Sequence, residues 1–269
     1  MILLLDVGNT NTHLGLARPG AVTRQADVPT AEWFSGAAPA RLARFVGSQS
    51  LRGAALCSVV PRATPIIKRV LRQRWNLPAL ELSAATVRGV GIRYPRPETI
   101  GPDRLANAVA ARHRFGAPVV VVDFGTAVTF DVVNKEGSYV GGIIAPGLAA
   151  MTDYLHEKTA LLPRIRIHET HSVIGRSTEE AMLIGAVHGY RGLVRELILE
   201  LKRELGAPRL PVVATGGYAR LIAAALPEIS AVDPLLTLEG LRLVWGAGRP
   251  PKAGSRLIAA SRTPKLQRR

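Results

Sequence analysis

Leu3-Leu4-Leu5-Asp6-Val7-Gly8-Asn9-Thr10-Asn11-Thr12, at the start of the chain, is echoed past mid-chain by Val120-Val121-Val122-Asp123-Phe124-Gly125-Thr126-Ala127-Val128-Thr129. Each copy reads as an apolar strand, an Asp-x-Gly turn, and a second strand that runs back through Leu14 and Leu16 or through Phe130 and Val132. Glycine suits such a turn because it tolerates backbone angles closed to other residues, and small polar neighbours leave the turn open to a ligand. Two matching turns after hydrophobic strands, each followed by alternating strand and helix patterns, point to a duplicated α/β chain.

Working outward, the pattern predicts strands at 2–7, 12–17, 22–28, 54–60 and 78–82 with helices at 39–48 and 62–75. The second half predicts strands at 118–123, 127–134, 138–144 and 211–214 and helices at 147–160, 177–204, 217–226 and 237–246. Ser177 and Glu180 have capping-box spacing, and Pro102 suits the first turn of a helix running to Gly116 that links two lobes. The expected division is an N-terminal lobe over 1–116, a C-terminal lobe over 117–248 and a basic tail over 249–269.

Composition narrows the function classes. The 269 residues are 47% hydrophobic, enough for a substantial core, yet no apolar run approaches the roughly 18 residues of a membrane span. Asp6 interrupts the first apolar run and no basic leader precedes it, so a secretory signal is not expected. The single cysteine, Cys57, fits a reducing cytoplasm and is read as a small buried side chain. Of the net charge of +15, seven charges belong to Arg249, Lys252, Arg256, Arg262, Lys265, Arg268 and Arg269, with no acidic residue among 249–269. No aromatic residue occurs there to stack on bases, so a solvated extension is favoured over a nucleic-acid arm.

The turn Asp6 to Thr12 offers one carboxylate, one glycine and four small polar side chains. Alone it reads equally as a polar hairpin turn or a phosphate cradle. The carboxylate would repel phosphate directly, so its use would be through a hydrated divalent cation with a preference for hard oxygen ligands. The second copy, Asp123 to Thr126, favours the cradle, since two such turns across a cleft could hold both ends of a polyphosphate. Thr215-Gly216-Gly217, between a strand and a helix, leaves room for a flat ligand against the backbone, although a plain turn would use the same residues. No Gly-x-x-x-x-Gly-Lys-Ser/Thr loop is present. Gly101-Pro102-Asp103-Arg104 opens a helix whose dipole would hold Asp103 ionised. Ordinary capping explains these two charges in isolation. Near a nucleotide, Asp103 could take a proton from a substrate hydroxyl while Arg104 pairs with a substrate carboxylate. His168 and His171 lack a third ligand and read as solvated; Trp33, Trp75 and Trp245 read as core or interface anchors.

In order, Asp-x-Gly, Asp-x-Gly-Thr and Thr-Gly-Gly resemble the two phosphate motifs and the adenosine motif of the actin, Hsp70 and sugar-kinase superfamily. More specifically, the chain from Met1 to about Gly246 resembles the type III pantothenate kinases. The matching blocks are Asp6 to Thr10, Cys57-Ser58-Val59-Val60-Pro61, Tyr94 to Arg104, Asp123 to Ala127, Gly141 to Gly147, Ile174 to Thr178, Thr215-Gly216-Gly217 and Asp233 to Leu241. The resemblance implies an α/β fold of two RNase H-like lobes, mixed sheets flanked by helices with an ATP cleft between them. It implies ATP-dependent phosphorylation of pantothenate, the first step of coenzyme A synthesis, with Mg2+ and a monovalent cation, K+ or NH4+, in a cytoplasmic homodimer. By the same resemblance, Asp6, Val7, Gly8, Asn9, Thr10, Asn11, Thr12, His13 and Thr126 contact ATP, with Gly216 and Gly217 at the adenosine. Asp103 is the proton acceptor, and Asp6 reaches Mg2+ through water. Tyr94, Gly101, Pro102, Asp103, Arg104 and Thr178 bind pantothenate, and Asp123 holds the monovalent cation. Where the family carries Tyr-x-Asn-Pro, this chain has Tyr94-Pro95-Arg96-Pro97, and the basic tail has no family counterpart. Alternative readings are a kinase for another small hydroxyl substrate and a catalytically weak nucleotide-binding regulator of the same fold.

Overall fold

The computed structural model describes residues 1–248, and the basic extension at 249–269 lies outside them. Each half opens on a meander. β1 (Ile2–Val7), β2 (Asn11–Ala17) and β3 (Val22–Pro29) pair antiparallel in succession. Short α1 (Glu32–Ser35) and α2 (Ala38–Val46) lead to β4 (Gly53–Ser58), which lies parallel to β1. Then α3 (Thr64–Trp75) returns the chain to β5 (Ala79–Glu81), parallel to β4. After β6 (Gly91–Ile92), a 3-10 turn at Pro97–Thr99 and α4 (Pro102–Phe115), the wiring repeats. β7 (Val119–Phe124), β8 (Ala127–Val133) and β9 (Ser138–Pro146) form the second meander. Then α5 (Leu148–Lys158), α6 (Thr178–Ile184) and α7 (Tyr190–Glu204) lead to β10 (Val212–Thr215), parallel to β7. Finally α8 (Ala219–Ala223) precedes β11 (Ala231–Val232), parallel to β10, and α9 (Leu236–Ala247) follows. The sheet orders are β3-β2-β1-β4-β5 and β11-β10-β7-β8-β9-β6, so the second five strands repeat the first five position for position.

Strand parity explains the layers. Leu3, Leu5 and Val7 of β1 point to one face and pack with α2 and α3, while Ile2 and Leu4 point to the other. In β7, Val120, Val122 and Phe124 pack outward against α7 and α8, while Val119 and Val121 point inward. The inward sets share one core with Leu105, Ala106 and Val109 of α4 and Leu238, Leu241 and Val244 of α9. The molecule is therefore a five-layer stack with two helices between two sheets, and the strands buried on both faces read as continuous apolar runs. Asp6 falls on the parity of Leu4, and Asp123 on that of Val121, so the alternation that buries the core aims both carboxylates into the same inter-sheet layer.

Packing crosses the midpoint of the chain: β6 pairs with β9 in the second sheet, and α9 packs on β1, β2 and β4 of the first. Two expectations are corrected. The helix expected over 177–204 is interrupted by a π-helical turn at Gly185–Gly189, where two glycines weaken the α-helical register. Its start is as expected, with Ser177 Oγ accepting from the Glu180 N–H at 3.2 Å and Glu180 Oε2 from the Arg176 N–H at 2.7 Å. The strand expected over 54–60 stops at Ser58, whose Oγ accepts from the Val60 N–H and bends the chain.

The central helices touch backbone to backbone, because a Cβ on Gly240 would stand 2.0 Å from Ala106 O. Gly240→Ala is expected to lower the unfolding free energy by about 1–3 kcal/mol through overpacking, read as a lower urea midpoint.

Candidate active site

The two Asp-x-Gly turns meet. Thr10 Oγ1 and Thr126 Oγ1, on the exposed tips of the two hairpins, lie 3.3 Å apart. The first turn is closed by Gly8 N–H to Asn11 O at 3.0 Å and braced from the side by Thr30, whose hydroxyl donates to Gly8 O at 2.7 Å. The second is closed by Gly125 N–H to Ala127 O at 3.1 Å, and the Gly147 N–H adds a bond to Thr126 O at 3.2 Å. Asn9 and Thr10 on one side and Gly125 and Thr126 on the other face solvent. Thr12 does not join them. Its side chain is fully buried, paired with the Thr30 hydroxyl at 3.0 Å and accepting from Trp33 Nε1 at 3.0 Å, so it braces the hairpin from within. Its even-numbered parity relative to Leu14 and Leu16 turns it toward the lobe interior.

Thr215 stands beside Asp123 in the parallel β10–β7 pair, which carries Gly216 and Gly217 to the second turn. Gly216 has φ +90, and a Cβ there would come within 2.6 Å of Asp123 Oδ1 and 2.7 Å of Phe124 N, so only glycine fits. Gly217 has open space around its Cα, as a flat ligand requires. Across the cleft, Asp103 occupies the first turn of α4, and Asn107 stands one turn on along the same face. Asn107 Nδ2 donates to Asp123 Oδ2 at 2.9 Å, and Thr237 of α9 donates to Asn107 Oδ1 at 2.8 Å. Neither Asn107 nor Thr237 was singled out in the sequence, where an amide inside an apolar helix carries no local signal.

Burial dominates the electrostatics. It pushes Asp6 up to about 7, with the neighbouring carboxylates of Asp103 and Asp123 adding to the rise and His13, across the β1–β2 pair, opposing it. Cys57, beside Asp6 in the β1–β4 pair, donates its thiol to Asp6 Oδ1 at 3.3 Å and is itself pushed up by burial. Asp123 is pushed up to about 6 by burial, against the bond from Asn107. Asp103 is raised above the usual aspartate value by burial, while the Arg104 N–H, the Arg104 guanidinium and its own N–H pull it back. The helix start favours the ionised form and desolvation opposes it more strongly, because the same turn that supplies the amides also withdraws the carboxylate from water. Asp103 Oδ1 is a buried oxygen with no hydrogen-bond partner among the described residues.

Around Asp103, Arg104 donates from Nε to Asp131 Oδ1 at 2.6 Å and from Nη2 to Phe130 O at 3.3 Å. Tyr94 is half-buried near Arg104, with its ring edge-on to Tyr139 at 6.1 Å. Thr178 sits exposed at the start of α6, and His13 is exposed with Nδ1 bonded to Asp27 at 2.7 Å. His168 and His171 are exposed, and among the described residues no three His, Cys, Asp or Glu side chains form a metal cage. The cleft fits a nucleotide with its metal nonetheless. Glycine turns and hydroxyls suit phosphate, and Asp6 offers the hard oxygen a hydrated divalent ion takes when phosphates supply the rest.

Two Asp-x-Gly turns and a glycine-lined strand end, brought to one cleft across duplicated α/β halves, define a fold of the actin, Hsp70 and sugar-kinase class. A solved structure assigned as an N-acetylglucosamine kinase from Chromobacterium violaceum superposes with a TM-score of 0.51 at 15% identity, covering 90% of this chain and 98% of that one. Sequence relatives are closer. The chain is 50% identical over 245 residues to the type III pantothenate kinase of Akkermansia muciniphila, covering 91% of this chain and 98% of that protein. It is 45% identical over 244 residues to that of Methylacidiphilum infernorum, covering 90% and 87%. The family model for type III pantothenate kinase matches residues 2–200, and the chain belongs to that family.

Two outcomes test the site. A carboxyl whose folded pKa is raised binds its proton more tightly when folded, so its contribution to stability is full below about pH 4 and is lost as pH climbs through the folded value. For Asp6 and Asp123 that loss extends to about 7 and about 6. Ligand-free Asp6→Asn is therefore expected to melt above wild type by about 3 °C or more at pH 8, with the gap closing near pH 4. Separately, a Cβ on Gly101 would stand 2.5 Å from Asp103 Oδ1, while the backbone φ of −55 accepts alanine. Gly101→Ala is expected to cut turnover by about 100-fold while moving the melting temperature by less than about 2 °C.

Proposed function

We propose that this enzyme transfers the terminal phosphoryl group of ATP to the primary hydroxyl of pantothenate, giving 4'-phosphopantothenate and ADP in the first step of coenzyme A synthesis. The single observation that carries the chemistry is Asp103 Oδ1, buried and unpartnered among the described residues, on the helix that opens beside both phosphate turns. Asp103 accepts the hydroxyl proton as the pantothenate oxygen attacks the terminal phosphorus, and ADP leaves in line. Its raised pKa makes the carboxylate a stronger base than an exposed aspartate. The amides and hydroxyls at Gly8 to Thr10 and Gly125 to Thr126 hold the phosphates, so positioning and charge stabilisation supply most of the rate.

Arg104 pairs with the pantothenate carboxylate, and Tyr94 walls the pocket. Mg2+, held by the phosphates and through water by Asp6, would neutralise charge developing on the phosphates. Asp123 would hold a weakly hydrated monovalent cation, K+ or NH4+, whose charge offsets both the triphosphate and the buried carboxylates. Large apolar side chains crowd the surface between residues 144 and 174, with Ile144 64%, Tyr154 61%, Leu161 90%, Val173 73% and Ile174 76% exposed. A patch of that kind favours a homodimer through this face, with Thr178 at the subunit boundary. Among the described residues no helix is long and apolar enough to cross a membrane, and a cytoplasmic setting, where ATP is supplied, fits the reading.

The test is ADP release with and without pantothenate, wild type against Asp103→Asn. Wild-type release should depend on pantothenate, and the variant should lose about 100- to 10,000-fold in kcat with little change in the KM for ATP. Equal rates would remove Asp103 from its role, and release indifferent to pantothenate would assign the cleft to another acceptor.

A further inference from the structure

Behind Arg104 lies a buried polar cluster that phosphate binding does not use. Asp131 of β8 is fully buried and accepts three hydrogen bonds: from Arg104 Nε at 2.6 Å, Tyr139 OH at 3.2 Å and Thr129 Oγ1 at 3.3 Å. The Arg104 guanidinium also lies 5.8 Å over the Tyr139 ring. The backbone closes the far side, since a Cβ on Gly142 would come within 3.0 Å of Arg104 Nη2. Two edges of the guanidinium are thus fixed by groups from β8, and among the described residues Nη1 is the nitrogen left to meet a ligand.

An ion pair buried this deeply adds little to stability, because desolvating both charges offsets their attraction. Its value lies in orientation. An arginine side chain is long and rotamer-rich, and ordering it during binding would weaken the grip on a carboxylate; a guanidinium already held on two edges loses far less freedom.

We propose that Asp131, supported by Tyr139, is a positioning residue that makes the pocket selective for an anionic substrate by presenting Arg104 in one orientation. This rests on the reading of Arg104 as the partner of the pantothenate carboxylate. A fixed cationic donor rewards a charged carboxylate far more than a neutral amide, whose hydrogen bonds are individually weaker. The loss on removing Asp131 therefore falls on the acid and largely spares the neutral analogue. A competing effect has the opposite sign, because Asp131 also damps the positive charge of Arg104 at the pocket, and taking it away would strengthen attraction for any anion.

The experiment measures kcat and KM of the full chain for pantothenate and for its analogue with the terminal carboxylate replaced by a neutral carboxamide. Wild type should favour the acid, and Arg104→Gln should bring the two substrates close to parity. Asp131→Asn is expected to lower the acid-to-amide ratio of kcat/KM by about tenfold or more, chiefly through the KM of the acid, with the amide changed by less than about threefold. Tyr139→Phe removes one donor without altering the charge balance and should shift the ratio the same way by a smaller factor, which keeps the test decisive if Asp131→Asn folds poorly. Equal losses for both substrates, or a ratio that holds or rises in both variants while Arg104→Gln abolishes it, would overturn the positioning role alone. A wild type with no preference for the acid would remove the reading of Arg104, and this inference with it.

Discussion

Three carboxylates, Asp6, Asp103 and Asp123, are withdrawn from water into one cleft, where Asp103 raises the proton affinity of both others and Asp123 adds to that of Asp6. No local preference brings them together, and their mutual repulsion opposes it. The fold overcomes this with the large apolar layers on either side, whose strand parity leaves Asp6 and Asp123 no direction but inward. Strain of this kind is typical of sites where function and stability pull apart.

Each carboxylate is also held in place from a different direction. Asp6 is flanked by His13 on one strand and the Cys57 thiol on another. Asp123 is tied through Asn107 to Thr237, so a hydrogen-bonded chain runs from the second sheet through both central helices. Asp103 is fixed by its own helix turn and crowded by Gly101. The chain from Asp123 through Asn107 to Thr237 is informative because each link is hydrogen-bonded, which sets one geometry where an apolar contact would permit several.

What could be read from sequence was what is local. The Asp-x-Gly hairpins, the Ser177 cap and the Pro102 helix start rest on turn and capping chemistry within a few residues, and the duplication followed from the echo of one hairpin in the other. What escaped was decided by tertiary contact. Thr12 looks like its polar neighbours but lies on the strand face turned away from the inter-sheet layer, where Trp33 claims its hydroxyl. Asp131 and Tyr139 sit among apolar strand residues with no motif around them, and only the arrival of Arg104 from a distant helix gives them a role. The raised proton affinity of Asp103 could not be read from its place at a helix start, because burial is a property of the whole assembly.

The placement of α9 bears on how the protein is made. Leu238 of that helix packs against Gly15 and Leu4, Glu239 takes the Val22 amide at 2.7 Å, and Trp245 lies against Gly53. The part of the inner face of the first sheet that α9 packs on therefore stays uncovered on the ribosome until that helix, which begins 155 residues after the end of β5, has been translated. The leading half cannot mature as a vectorial, co-translational unit, and its exposed apolar face is a natural client for a ribosome-associated chaperone until the trailing half emerges.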